Sequence, residues 1–224
     1  MTTKTLSLPH QVHIPTQDSE PEAPYPTILA LHGRGSHEGD LMELAPHLPP
    51  DLLWVAPRAP LTLGPDSYEW YRVRVIGQPD PDQVHAALDT LERFIDDMLQ
   101  AYPVDPAKLY LLGFSQGSML SLCYTLTHPR RIAGVIAQSG YLPRNIDLEI
   151  EPAELVEKPF ILTHGVQDTM IPVEWDRLTR DRLQELGVDL TYREFQMGHT
   201  VSMESLEVIS GWLEEQLGRT RPAL

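Results

Sequence analysis

Apolar positions along this chain follow two patterns. Short unbroken runs recur: TILALHG at 27–33, LLWVAP at 52–57, KLYLLG at 108–113, AGVIAQSG at 133–140 and KPFILTHG at 158–165. Runs of this length without polar alternation predict strands buried on both faces. Between them, apolar residues return every three or four positions. The strongest such stretch is 80–101, where Val84, Ala87, Leu88, Leu91, Ile95, Met98 and Leu99 share a face and Asp80 or Asp82 can cap the start. Further helices are predicted at 40–48, 117–127, 172–187 and 202–217, the third of these with proline at its start and glycine at its end. VDLTYREF at 188–195 reads as a strand. KTLSLPHQVHI at 4–14 is strand-like but broken by Pro9, and QDSEPEAPYP at 17–26 is a polar, proline-rich turn.

Buried strands alternating with helices predict an α/β fold: a mainly parallel central sheet with helices on both faces. Ligands then bind at the carboxyl ends of the strands, which directs attention to the ends LHG, LLG and THG. No repeat or low-complexity segment interrupts the pattern, and the 21 prolines are spread along the chain. One domain over 1–224 is expected.

Composition narrows the function classes. The formal charge of −15 disfavours nucleic acid and anionic membrane as partners. It also disfavours polyanionic substrates unless Arg34, Arg58, Arg72 or Arg74 compensates locally. No apolar run approaches the roughly 20 residues of a membrane span, so no stable insertion is expected. The start, MTTKTLSLPHQ, lacks the apolar core of a signal peptide, so a cytoplasmic location is expected. Cys123 is the only cysteine, which rules out an intramolecular disulfide and fits a reducing compartment.

Nucleotide and metal chemistry find little support. GRGSHEG at 33–39 has the wrong glycine spacing for a dinucleotide turn, and no phosphate-loop GK[ST] occurs. HQVH at 10–13 has an unsuitable spacing for a metal, and there is no HExxH. No cofactor and no metal are expected.

GFSQG at 113–117 is different, because it joins a predicted strand to a predicted helix. A tight strand-to-helix turn presents its central residue sharply and crowds the flanks, which requires small residues two positions either side. The following helix turns its first amides toward the site, where they favour negative charge. Ser115 is therefore the candidate nucleophile. A serine needs a histidine base and an acid, in the chain order Ser, Asp/Glu, His for this architecture. His128 is tied to the end of the nucleophile helix, and His164 lies inside an apolar strand end. His199, in the loop QMGHTVSMES, is the candidate base. Asp168, just after the THG strand end, is the candidate acid. Asp147 in a loop, Asp176 on a helix and Asp189 at a strand start are less well placed. The backbone N–H groups of Gln116 and Arg34 are the candidate oxyanion donors, one following the nucleophile and one following the LALHG strand.

LALHGRGS, WVAPRAP, GFSQGSMLSL, AGVIAQSGYLP, ILTHGVQDTMIP and MGHTVSMESLEVISGWL resemble, in order and spacing, the phospholipase/carboxylesterase family of α/β-hydrolases, which includes small bacterial carboxylesterases and acyl-protein thioesterases. The resemblance covers roughly 25–217. It implies the α/β-hydrolase fold, Ser115, Asp168 and His199 as triad, and Arg34 and Gln116 as oxyanion hole. The chain departs from the family pattern at Arg34, often leucine, at Arg72, often aspartate after an aromatic pair, and at Ser118. These changes fall on the substrate groove, for which Trp70 and Tyr71 are candidates. The expected activity is hydrolysis of carboxylic esters of small to medium acyl groups. An acyl-protein thioesterase or lysophospholipase activity is the alternative within the class, and a non-catalytic binding module on the same fold is the alternative outside it. The expected partner is a small-molecule ester or thioester, with a homodimer left open.

Overall fold

A computed structural model describes residues 4–15 and 24–219. Seven strands form one sheet in the order β1-β3-β2-β6-β7-β8-β9. They are β1 (His10–His13), β2 (Tyr25–Leu31), β3 (Leu53–Pro57), β6 (Val104–Phe114), β7 (Gly134–Gln138), β8 (Pro159–Gly165) and β9 (Asp189–Phe195). Only β1 runs antiparallel to its neighbour, and every other pairing in this sheet is parallel. β4 (Leu61–Gly64) and β5 (Ser67–Glu69) form a separate antiparallel hairpin. The helices are α1 (Pro81–Ala101), α2 (Gln116–Thr127), α3 (Val173–Glu185) and α4 (Met203–Gln216).

The unbroken apolar runs serve both faces of the sheet. Leu29, Leu31, Leu109, Leu111, Val135 and Leu162 pack with α1, α2 and α3 on one side. Their alternate neighbours Ile28, Ala30, Tyr110, Leu112, Ile136 and Ile161 pack with Ile209, Trp212 and Leu213 of α4 on the other. α1 buries Val84, Ala87, Leu88, Leu91, Phe94, Ile95 and Met98, while Leu99 is half-buried. Asp80 caps it by accepting from the Asp82 N–H. This is the expected mainly parallel sheet with helices on both faces. Among the described residues no helix is long and apolar enough to cross a membrane.

Several elements differ from the expectations. The 40–48 segment is a 3-10 helix, Leu41–His47, because Pro46 supplies no N–H to continue an α-helical ladder. β6 begins at Val104 rather than 108. Its pairing with β2 skips from Val104 to Leu109, so Asp105–Lys108, Pro106 included, bulge out of the ladder. Most of the predicted turn at 17–26 lies outside the described residues, but its last two residues belong to β2. There Tyr25 donates its N–H to Pro103 O at 2.8 Å.

Candidate active site

The site sits at the carboxyl ends of β6, β8 and β9. β6 runs to Phe114, and α2 starts at Gln116. Ser115 alone makes the turn, with φ 53° and ψ −115°. A non-glycine residue held there is strained, and the surroundings must enforce it. The two flanking glycines allow the close packing that does so. A Cβ on Gly113 would stand 2.4 Å from Gly117 O, and one on Gly117 would stand 1.9 Å from Leu31 O. The backbone of α2 is thus pressed onto β2, beside the strand end that carries Arg34.

His199 arrives from the loop between β9 and α4. A Cβ on Gly165, at the end of β8, would meet Met197 O at 2.2 Å and Gly198 O at 2.4 Å. Only glycine there lets the histidine loop settle over the β8 end. Gln167 N–H donates to Met197 O at 3.0 Å and ties that loop to the one carrying Asp168. The Ser202 and Ser205 capping box then fixes the start of α4.

These constraints bring three of the sequence candidates together. His199 Nε2 lies 2.9 Å from Ser115 Oγ, and His199 Nδ1 lies 2.6 Å from Asp168 Oδ2. Asp168 is buried, and its Oδ1 accepts from the N–H groups of Met170 at 2.8 Å and Ile171 at 2.9 Å. With Nδ1–H donating to the carboxylate, Nε2 faces the serine as an acceptor. The Phe114 ring packs on His199 at 4.9 Å between centroids.

The competing groups lie elsewhere. His128 stacks on Tyr124 and stands 4.0 Å from Glu92. Asp147 and Asp189 are exposed. His164 and Asp176 are buried behind Asp168.

Arg34 N–H makes no backbone hydrogen bond among the described residues. Gln116 is the first residue of α2, so its N–H has no partner within the helix. The turn that carries Arg34 is fixed by His32, whose Nδ1–H donates to Gly33 O at 2.7 Å and whose Nε2 accepts from Ala59 N–H at 3.1 Å. Burial lowers the His32 pKa and keeps this ring neutral. Gln116 also acts through its side chain: Oε1 accepts from Trp70 N–H at 2.8 Å and Nε2 donates to Tyr71 O at 2.7 Å. That clamp locks the Trp70-Tyr71 segment to the turn that carries Ser115.

The sequence of the phospholipase/carboxylesterase family matches residues 15–217. The chain belongs to that family. It is similar to Carboxylesterase SOBER1 of Arabidopsis thaliana, at 26% identity over 206 residues, covering 85% of this chain and 90% of the relative. It is also similar to acyl-protein thioesterase 1 of Neurospora crassa, at 30% identity over 181 residues, covering 72% and 71%. The crystal structure of the Bacillus cereus carboxylesterase superposes with a TM-score of 0.81 at 20% identity, covering 93% of this chain and 94% of that one. This member of the phospholipase/carboxylesterase family is thus an α/β-hydrolase and a carboxylesterase-type enzyme.

In this carboxylesterase-type hydrolase a cavity of ≈ 170 Å³ opens beside Ser115 and His199. Tyr71, Val73, Met119, Tyr141 and Ile171 give it a mostly apolar wall, and Arg34 stands at its edge. Of the two aromatic groove candidates, Tyr71 lines the cavity and Trp70 does not. Trp70 is buried behind it, with Nε1–H donating to His32 O at 2.9 Å. Tyr71 O–H reaches Met119 Sδ at 3.4 Å, and burial pushes its phenol pKa well up, so it stays neutral. The sequence reading missed Val73, Met119, Tyr141 and Ile171. The alternation in RVRVIG at 72–77 was the available signal for the first. The Arg34 side chain turns to Glu69, a buried carboxylate with Arg34 Nε at 2.8 Å and Arg72 Nη1 at 3.4 Å. Among the described residues no group of three or more His, Cys, Asp or Glu stands close enough to hold a metal ion.

Proposed function

We propose that this enzyme hydrolyses carboxylic esters of small to medium acyl groups through a covalent acyl-serine intermediate. Ser115 Oγ attacks the acyl carbon while His199 Nε2 takes its proton. The same proton then passes to the departing alkoxide. Asp168 holds the ring in the required tautomer and balances the imidazolium. The Arg34 and Gln116 amides stabilise the oxyanion of each tetrahedral intermediate. Water, deprotonated by His199, then attacks the acyl carbon and releases the acid.

The observation that carries this reading is the hydrogen-bonded series from Ser115 Oγ through His199 to the buried Asp168, at 2.9 Å and 2.6 Å. The cavity supports the acyl size. At ≈ 170 Å³ it is smaller than the roughly 300–1,000 Å³ of pockets for drug-sized ligands, and its wall is mostly apolar. Exposed Val75, Ile76 and Met170 extend that apolar surface outward at the mouth. This extension supports the second reading, a thioesterase or lysophospholipase whose longer chain lies along the mouth. We place the enzyme as one domain acting on a small-molecule substrate.

A panel of nitrophenyl esters from acetate to palmitate, alongside a palmitoyl thioester, tests the proposal. The highest kcat/KM is expected at short to medium chains, with Ser115→Ala inactive on all of them. A preference for the palmitoyl thioester would establish the second reading instead. Undiminished turnover in Ser115→Ala would remove both.

A further inference from the structure

His164 and Asp176 form a buried pair that the proposed reaction does not use. His164 lies at the end of β8 and is wholly buried. Both its ring nitrogens face oxygen acceptors. Nε2 is 2.9 Å from Ile171 O and 3.4 Å from Asp168 Oδ2, while Nδ1 is 3.4 Å from Asp176 Oδ2. Asp176 is 2% exposed. It occupies the first turn of α3, where the helix N-terminus favours an anion. The two distances to Asp176 and Asp168 are ion-pair separations rather than short, aligned hydrogen bonds.

A neutral imidazole has one donor nitrogen and one acceptor nitrogen, so it cannot satisfy acceptors on both sides. An imidazolium can. Burial opposes the charged ring, but Asp176, the Ile171 carbonyl and Asp168 outweigh it and raise the His164 pKa. Burial raises the Asp176 pKa, with the neighbouring His164 acting against that rise. Glu194 of β9 acts on Asp176 in the same direction as burial, and Arg180 of α3 opposes it. Tyr192 of β9, a neutral phenol, also faces Asp176. Glu194 is itself neutralised by Arg177 at 2.7 Å.

We propose that Asp176 is a positioning residue that holds His164 as an imidazolium against Asp168, extending the series Ser115–His199–Asp168 by two buried groups. The positive ring lies beside the same Oδ2 that accepts from His199. It weakens the pull of Asp168 on the His199 proton, so His199 becomes an unprotonated base at lower pH than Asp168 alone would allow. Asp176 supplies the charge that keeps His164 protonated in a dry interior. It touches neither substrate nor reacting atoms.

The inference rests on the triad reading, and kcat/KM against pH for Asp176→Asn tests it. With the carboxylate gone, His164 becomes neutral and the positive charge beside Asp168 disappears. The more distant negative charge of Asp176 disappears too, but the nearer charge dominates. The acidic limb is expected to move to higher pH by roughly half a unit, with the plateau within about threefold of wild type. Asp176→Glu, which keeps the charge, is expected to keep the wild-type midpoint. In a His164→Gln background the Asn substitution is expected to give no further move to higher pH. A role in packing alone would lower thermal stability and leave the midpoint in place, and a folded Asp176→Asn with an unmoved midpoint overturns the proposal. Should Asp176→Asn fail to fold, ¹⁵N-histidine NMR of the wild-type protein decides. Two protonated ring nitrogens on His164 at neutral pH are expected, and a neutral ring overturns the proposal. Failure of the triad reading is separable, since Ser115→Ala and His199→Ala would then remain active whatever Asp176→Asn does.

Discussion

Arg34 is expected to act in turnover through its backbone and in stability through its side chain. Its guanidinium Nε lies 2.8 Å from Glu69 Oε2, and Glu69 is 1% exposed. Arg34→Ala keeps the N–H and strips that carboxylate of its nearer cation, leaving Arg72 Nη1 at 3.4 Å on an exposed side chain. Removing one partner of a fully buried pair typically costs about 3–5 kcal/mol. Here the lost guanidinium is half-exposed and a second arginine remains, so about 1–2 kcal/mol is the reasonable share. For a chain of this size that is a fall in Tm of roughly 2–8 °C. Turnover of an acetyl ester should stay within a few-fold of wild type. Arg34→Pro removes the N–H and should lower kcat by roughly 10²–10³, while Ser115 still reacts slowly with a fluorophosphonate. The double variant Arg34→Ala/Glu69→Gln should recover much of the lost Tm, because no buried charge is left short of a partner. Scanning calorimetry and steady-state kinetics on the four proteins separate the effects. If Arg34→Ala lowers kcat as far as Arg34→Pro while its Tm is unchanged, the guanidinium itself takes part in catalysis. The backbone assignment then fails.

Other expected outcomes follow from the same geometry. Hydrolysis should rise with pH through one ionisation, because only unprotonated His199 can accept the Ser115 proton; a kcat/KM profile flat across the acidic range would contradict this. Asp168→Asn should lower kcat by up to about 10⁴ with folding retained, since the amide no longer selects the Nδ1–H tautomer; near-wild-type turnover would redirect the search for the acid. Gly117→Ala places a Cβ 1.9 Å from Leu31 O, which should cost about 3 kcal/mol or more and roughly 6–12 °C in Tm. An unchanged Tm would show that α2 is not held against β2 as described. Burial pushes the Cys123 thiol up to about 12, so maleimide should leave native enzyme unlabelled and fully active at neutral pH, and rapid labelling would refute that burial.

Much of the architecture was legible because the core strands are apolar on both faces. Runs such as TILAL and LYLLG divide alternate residues between the two core clusters, so each run is continuous in sequence. The Ser115 turn was equally legible, since the close approach of β6, α2 and β2 admits only glycine at 113 and 117. The β4–β5 hairpin was not. Its strands are short and partly exposed, and its turn places Asp66, rather than a glycine, at φ 48°. The 3-10 character of 41–47 was hidden because its apolar spacing also suits an α-helix. In sequence Asp176 reads as a helix residue and His164 as a strand-end residue. Nothing local marks their meeting, which depends on how α3 packs back onto β8. The tie from Arg34 to Glu69 was hidden for the same reason, since 35 residues separate Arg34 from its carboxylate.

Mapping the site of covalent modification by a fluorophosphonate decides whether Ser115 is the activated nucleophile. Native enzyme should lose ester hydrolysis in step with the gain of one adduct, and peptide mass spectrometry should place that adduct on Ser115. His199→Ala should slow labelling by orders of magnitude, and Ser115→Ala should abolish it. An adduct on any other residue, or full inactivation with Ser115 unmodified, would contradict the assignment of Ser115, His199 and Asp168 as the reacting centre.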